Sequence, residues 1–149
     1  MNVFFKFEPS PERMARQFGE HVQGARRAGF VNVVTTIEAI ATKDAPVRTS
    51  NLANTHTSEV NEDATLGIIR FTAPYAGYVH EGTGLYGPHR QKIVPKTKKA
   101  LYWPGAAHPV RAVRGMKGQP FLRGAAEQAD LQSLFSEGAN DYLSKSGVR

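Results

Sequence analysis

The chain has no cysteine, which rules out a disulfide framework, a thiolate zinc site and a thiol nucleophile, and suits a protein made in a reducing cytoplasm. No apolar run approaches the roughly 20 residues of a membrane span. The opening MNVFFKFEP lacks the basic start and long apolar stretch of a secretory signal, so the expectation is a soluble, unexported protein with no membrane partner. Its glycines never stand ahead of Lys and Ser or Thr in the order a phosphate-binding loop needs, and no GxSxG elbow occurs. Nucleotide hydrolysis and covalent catalysis are therefore left without a candidate. Acidic residues are also missing from one long stretch. Between Gly84 and Gly118 stand eight basic side chains (Arg90, Lys92, Lys96, Lys98, Lys99, Arg111, Arg114 and Lys117) and no Asp or Glu.

That stretch holds the whole positive excess of the chain. The net charge is +6, yet outside residues 84–118 there are 11 basic residues against 13 acidic. A length of 149 residues, 40% of them hydrophobic, suits one compact domain with one long excursion. Asn2 to Phe7 alternates like a strand with one buried face. Ser10, Pro11 and Glu12 form a helix start: an N-cap, a first-turn proline and an anion at the positive end of the dipole. Met14, Phe18, Val22, Ala25, Val33, Ile37 and Ile40 then recur at helical spacing, predicting a helix to about Thr42. Gly19, Gly24 and Gly29 interrupt its pattern, either breaking it near Gly29 or admitting another backbone closely. Lys43 to Asn54 reads as a loop or a single helical turn. His56–Val60 and Ala64–Thr72 read as a hairpin around Asn61-Glu62-Asp63.

Ala73 to Thr83 reads as an aromatic-rich turn or short helix. Within the basic excursion, Lys92–Val94, Ala100–Trp103 and Val110–Val113 read as short strands, with a turn at Pro104-Gly105. From Pro120 the spacing of Phe121, Leu122, Ala125, Ala129, Leu131, Leu134, Phe135 and Leu143 predicts one helix to about Ser144. The layout is α+β: a small antiparallel sheet, a long N-terminal helix and a C-terminal helix packed on it, and a protruding basic β-hairpin arm.

The chemistry-bearing candidates are few. His80-Glu81 pairs an imidazole with a carboxylate, as an acid–base site or a metal site would, but on a strand neighbours point to opposite faces. His21, His56, His89 and His108 are scattered without zinc-helix spacing, so no metal or other cofactor is expected. The basic excursion, interleaved with Tyr86, Tyr102 and Trp103, admits three readings: phosphate and base contacts, a solvated hairpin whose lysines protect an edge, or a contact with an acidic neighbouring subunit. Tyr75, Tyr78 and Val79 line either a ligand pocket or, more in keeping with their place beside glycine at a hairpin's end, a core plug.

Four segments, in order, resemble one family. APVRTSNLANT is similar to "P-V-D-T-G-x-L-R-N-S", PYAGYVHEGT to "Y-A-x-Y-V-E-x-G-T", KIVPKTKKALYW to "I-x-P-K-x-x-K-A-L-x-F", and GMKGQPFLRGA to "P-G-x-x-P-x-P-F-L-x-x-A". These patterns belong to the neck and tail-completion proteins of siphophages, minor tail components at the head-to-tail junction. Ser50 stands where the family has Gly, His80-Glu81 replaces an acidic and aromatic pair, and the closing motif lacks its first Pro. The resemblance implies a non-enzymatic virion protein forming a hexameric or dodecameric ring. Its partners would be the connector or head-closure protein and the tail-tube or terminator protein, with genomic DNA passing nearby. On this reading Tyr75, Tyr78, Glu81, Gly82 and Thr83 form a structural turn beside a subunit interface, Pro120, Phe121 and Leu122 dock the last helix, and the eight cations of residues 84–118 form a contact arm. The alternative is a sequence-nonspecific nucleic-acid-binding protein using the same arm.

Overall fold

A computed structural model describes residues 11–46 and 51–147, and its architecture is α+β: five helices and a two-stranded antiparallel sheet. Helix α1 spans Pro11–Asp44 and α2 Asn51–Asn54. Strands β1 (His56–Val60) and β2 (Gly67–Phe71) form the sheet, and α3 (Ala76–Glu81), α4 (Phe121–Gln128) and α5 (Leu131–Lys145) complete the order. The strand at Asn2–Phe7 and the cap at Ser10 lie outside the described residues, as does Ser50.

The chain divides into two compact units. The first takes the described parts of residues 1–36, 58–69 and 129–149. Here α1 passes its glycines unbroken, and the close approach they allow is to α5, to a side chain at Gly24 and to backbone as well at Gly29. A Cβ on Gly24 would collide with the Tyr142 ring, and one on Gly29 would stand 2.6 Å from the Phe135 ring and 2.8 Å from its carbonyl oxygen. Phe30 meets Phe135 edge-on at 5.7 Å, and Asn32 donates to the Leu134 carbonyl at 2.7 Å. The expected apolar stripe shifts accordingly. Ala25, Gly29 and Val34 are buried, while Phe18 and Val22 are exposed at 68% and 48%. The hairpin turn is wider than three residues. Asn61 Oδ1 accepts from Thr65 and Leu66, Ala64 takes a positive φ, and the Arg26 and Arg27 guanidiniums donate to the Asp63 and Asn61 carbonyls.

The predicted single C-terminal helix is two helices. Asp130 adopts extended backbone and its carboxylate accepts from Ser133 at 3.1 Å, so it caps a new start rather than continuing the old helix.

The second unit takes the described parts of residues 37–57 and 70–128. Its buried core is mostly alanine (Ala41, Ala45, Ala73, Ala76 and Ala125) around Leu52 and Phe121. Small side chains bring α1, α3 and α4 close, and Phe121 fills the centre, edge-on to Phe71 at 4.9 Å and to His80 at 5.5 Å. His56 braces the same unit: Nδ1 donates to the Ala53 carbonyl at 2.7 Å and Nε2 lies 2.6 Å from a Glu38 carboxylate oxygen.

Candidate interaction surface

The PYAGYVHEGT segment becomes a short helix with a hard stop. In α3 the amide of Val79 donates to Tyr75 and that of Gly82 to Tyr78, both at 3.0 Å, and Gly82 leaves the helix at φ 83°, ψ 175°. That conformation is open essentially to glycine alone. Thr83 is then extended and pairs with Met116 twice: its N–H donates to the Met116 carbonyl at 2.8 Å, and its hydroxyl oxygen accepts from the Met116 N–H at 2.9 Å. Leu85 donates to Arg114 at 2.7 Å and Gln119 to Val79 at 2.8 Å.

The returning chain thus lies against the end of α3 closely enough to exclude side chains. A Cβ on Gly82 would stand 2.6 Å from the Gly118 nitrogen, and one on Gly118 the same distance from the Glu81 carbonyl carbon. Gly82, Thr83, Gly84, Gly115 and Gly118 therefore form a backbone clasp that closes the base of the excursion. The sequence marks Gly115 and Gly118 only as punctuation; their pairing with the Gly82-Thr83 turn has no signal at short range.

Beyond the clasp the chain runs out and back with little regular structure. The expected strands Lys92–Val94, Ala100–Trp103 and Val110–Val113 are not strands. Ile93 instead bridges Val113 and Leu101 bridges Val110, each pair exchanging two backbone hydrogen bonds between 2.7 and 3.0 Å. Lys92–Val94 and Ala100–Trp103 pair with the returning chain and not with each other. The prolines and the Lys-rich tract between them supply no alternating apolar face that would extend either bridge into a ladder. Trp103-Pro104-Gly105-Ala106 closes the tip as a β-turn, with Gly105 at φ 91° and Ala106 donating to Trp103 at 3.0 Å.

The clasp and the excursion beyond it carry many exposed large apolar side chains. Tyr75, Tyr78, Leu85, Tyr86, Ile93, Val94, Tyr102, Trp103 and Met116 are all at least 37% exposed, and Tyr78 reaches 65%. Tyr78 forms a shared wall between two open grooves. One, of about 840 Å³, is lined by Leu52, Tyr75, Val79 and Met116; the other, of about 730 Å³, by Glu81, His89, Lys92, Ile93, Val94 and Lys96. Tyr75 and Tyr78 are thus exposed groove walls, and the core position expected for them is taken by Ala76 and, in part, Val79.

His80 and Glu81 do come together, at the C-terminal end of α3. Nδ1 lies 3.2 Å from a Glu81 carboxylate oxygen, while Nε2 accepts from the Arg123 N–H at 3.4 Å, a first-turn donor of α4. With its ring against Phe121, His80 ties α4 to α3, and Glu81 also lies 3.8 Å from the Arg123 guanidinium. Among the described residues no group of three or more His, Cys, Asp or Glu gathers as a metal shell, and no helix is long and apolar enough to cross a membrane. Pro120 is exposed, with its carbonyl accepting from Gly124 at 2.7 Å, and Phe121 is buried at 6% exposure.

No protein-family model, curated protein or solved structure matches the chain.

Proposed function

We propose that this protein is a ring-forming structural subunit of a tailed bacteriophage, placed at the head-to-tail junction as a neck, tail-completion or tail-terminator component. Its role is assembly, not turnover. It is built in the host bacterial cytoplasm and ends in the virion, joining the connector to the tail tube. The observation that carries the reading is the run of exposed large apolar side chains from Tyr75 to Met116, on the clasp and along the excursion that the clasp closes. Apolar surface of this extent on a soluble chain marks a protein contact. A rigid base with a projecting arm suits a heterologous interface, in which one face of each copy meets a different face of the next and rotation closes the ring. The ordered resemblance of four segments to the neck and tail-completion family supports the same assignment.

The test is the mass and symmetry of the purified protein by light scattering and averaged particle images, together with its presence in phage particles. The expected result is a closed ring of six or twelve copies and density at the junction. A chain that stays monomeric at high concentration and is absent from virions overturns the assignment.

A further inference from the structure

We propose that the excursion between Gly84 and Gly118 binds the phosphodiester backbone of a nucleic acid, through cations that the apolar grooves do not use. This rests on the excursion and on the charge balance of the chain, and is independent of whether the protein forms a ring.

The first ground is unspent charge. None of the eight cations enters an ion pair or a side-chain hydrogen bond; only Lys117 has a side-chain partner, with its ammonium 5.9 Å from the centre of the Tyr86 ring. All eight are exposed. Arg90, Lys98, Lys99, Arg111 and Arg114 lie outside both grooves. The second ground is register. The isolated Ile93–Val113 bridge has Lys92 next to one partner and Arg114 next to the other, so like charges flank the pairing and neither offers the other a counterion.

The third ground is the source of the countercharge. The unit that holds the excursion carries 12 basic and 4 acidic residues, a balance of +8, and the other unit carries 7 and 9, a balance of −2. A second copy of this chain therefore cannot neutralise the first, and the anion must come from outside it. The fourth ground separates a nucleic acid from an acidic protein. Five of the eight cations are lysines, the residue depleted from protein interface cores, and the run from Arg90 to Lys99 is flanked by exposed aromatics, Tyr86 before it and Tyr102 and Trp103 after it. Strings of cations with flanking aromatic faces suit a phosphate track whose bases can stack.

Trp103 is the only tryptophan, so its fluorescence reports on the excursion directly. The full chain would be titrated with a thymine oligonucleotide, a random-sequence duplex and, as the protein-like polyanion, polyglutamate. If five cations each meet a phosphate, duplex affinity falls about 500-fold between 50 and 200 mM salt, and Lys98→Ala with Lys99→Ala reduces that fall to about 40-fold. Tyr102→Ala tells the two sources apart: a further loss of roughly tenfold on the single strand alone marks stacked bases, and no change on either marks a duplex ligand. Quenching that is absent at 50 mM salt, insensitive to salt, or equally tight with polyglutamate overturns the proposal.

Discussion

Replacing Gly82 by alanine tests whether the clasp is closed in solution. Two effects add. At φ 83°, ψ 175° a side chain forces a conformation that costs on the order of 1–3 kcal/mol. The new methyl would also meet the Gly118 nitrogen at 2.6 Å and the Met116 carbonyl oxygen at 2.9 Å. Both are backbone atoms, so relief requires moving the returning chain and loosening the Thr83–Met116 pair, worth about 1 kcal/mol per hydrogen bond. The expected loss is about 3–5 kcal/mol. Two other glycines separate the terms. Gly105 has φ 91° but open space, so Gly105→Ala carries only the strain, about 1 kcal/mol. Gly77 lies inside α3 with nothing within 4 Å, so Gly77→Ala gains up to about 1 kcal/mol of helix propensity. Urea midpoints of the three variants at constant slope give the ranking. Hydrogen exchange at the Thr83 and Leu85 amides shows whether Gly82→Ala opens the clasp alone. If Gly82→Ala falls within error of Gly105→Ala and those amides keep their protection, the returning chain does not lie where the clasp requires.

Phe121→Ala removes the ring that Phe71 and His80 pack against at the centre of an alanine-lined core. The loss should be about 3–5 kcal/mol in a thermal or urea melt. Asp130→Ala should cost about 1 kcal/mol, because the Ser133 N–H loses its acceptor, and Asp130→Asn should recover most of it. In α1 the sign of a glycine substitution depends on position. Gly19→Ala meets nothing within 4 Å and should stabilise by up to about 1 kcal/mol. Gly29→Ala should destabilise by about 1–3 kcal/mol, since the Phe135 backbone as well as its ring stands in the way. Circular dichroism melts of the pair check the contrast.

The elements whose signals are local were legible in the sequence. The long helix, β1 to the residue and the β-turn at Pro104-Gly105 each follow from a period, a cap or a turn residue acting within a few positions. The α4–α5 break was also written locally: Asp130 is a favoured N-cap residue, but the apolar period runs through it and masked it. What sequence could not supply was partnership at long range. Ile93 pairs with Val113 and Leu101 with Val110, across about 10–20 residues of loop, and nothing in either segment encodes the other's register. Gly115 and Gly118 read as breakers, and only the opposing chain shows that they are glycine because backbone lies against them. Tyr75 and Tyr78 misled for a related reason. Hydrophobicity forecasts burial, but in the second unit alanines around Leu52 and Phe121 occupy the core, and the tyrosines of the segment face outward.

That inversion bears on how the surface divides its work. Four hydrogen bonds tie residues 79–85 to 114–119, whereas the excursion beyond is crossed only by the two bridges at Ile93–Val113 and Leu101–Val110. The base is the more densely hydrogen-bonded part. The apolar walls and the free cations are also mostly different residues, so the two proposals separate by mutation. Tyr78→Glu places a charge on the wall shared by both grooves, at a side chain 65% exposed, and should abolish ring closure while leaving salt-dependent oligonucleotide binding and the melting temperature in place. Lys98→Ala with Lys99→Ala should leave ring closure in place and weaken the salt dependence of oligonucleotide binding, because neither lysine lines a groove. Loss of both properties in both variants would mean that one surface serves one partner, and that the division of labour drawn from the exposed side chains is wrong.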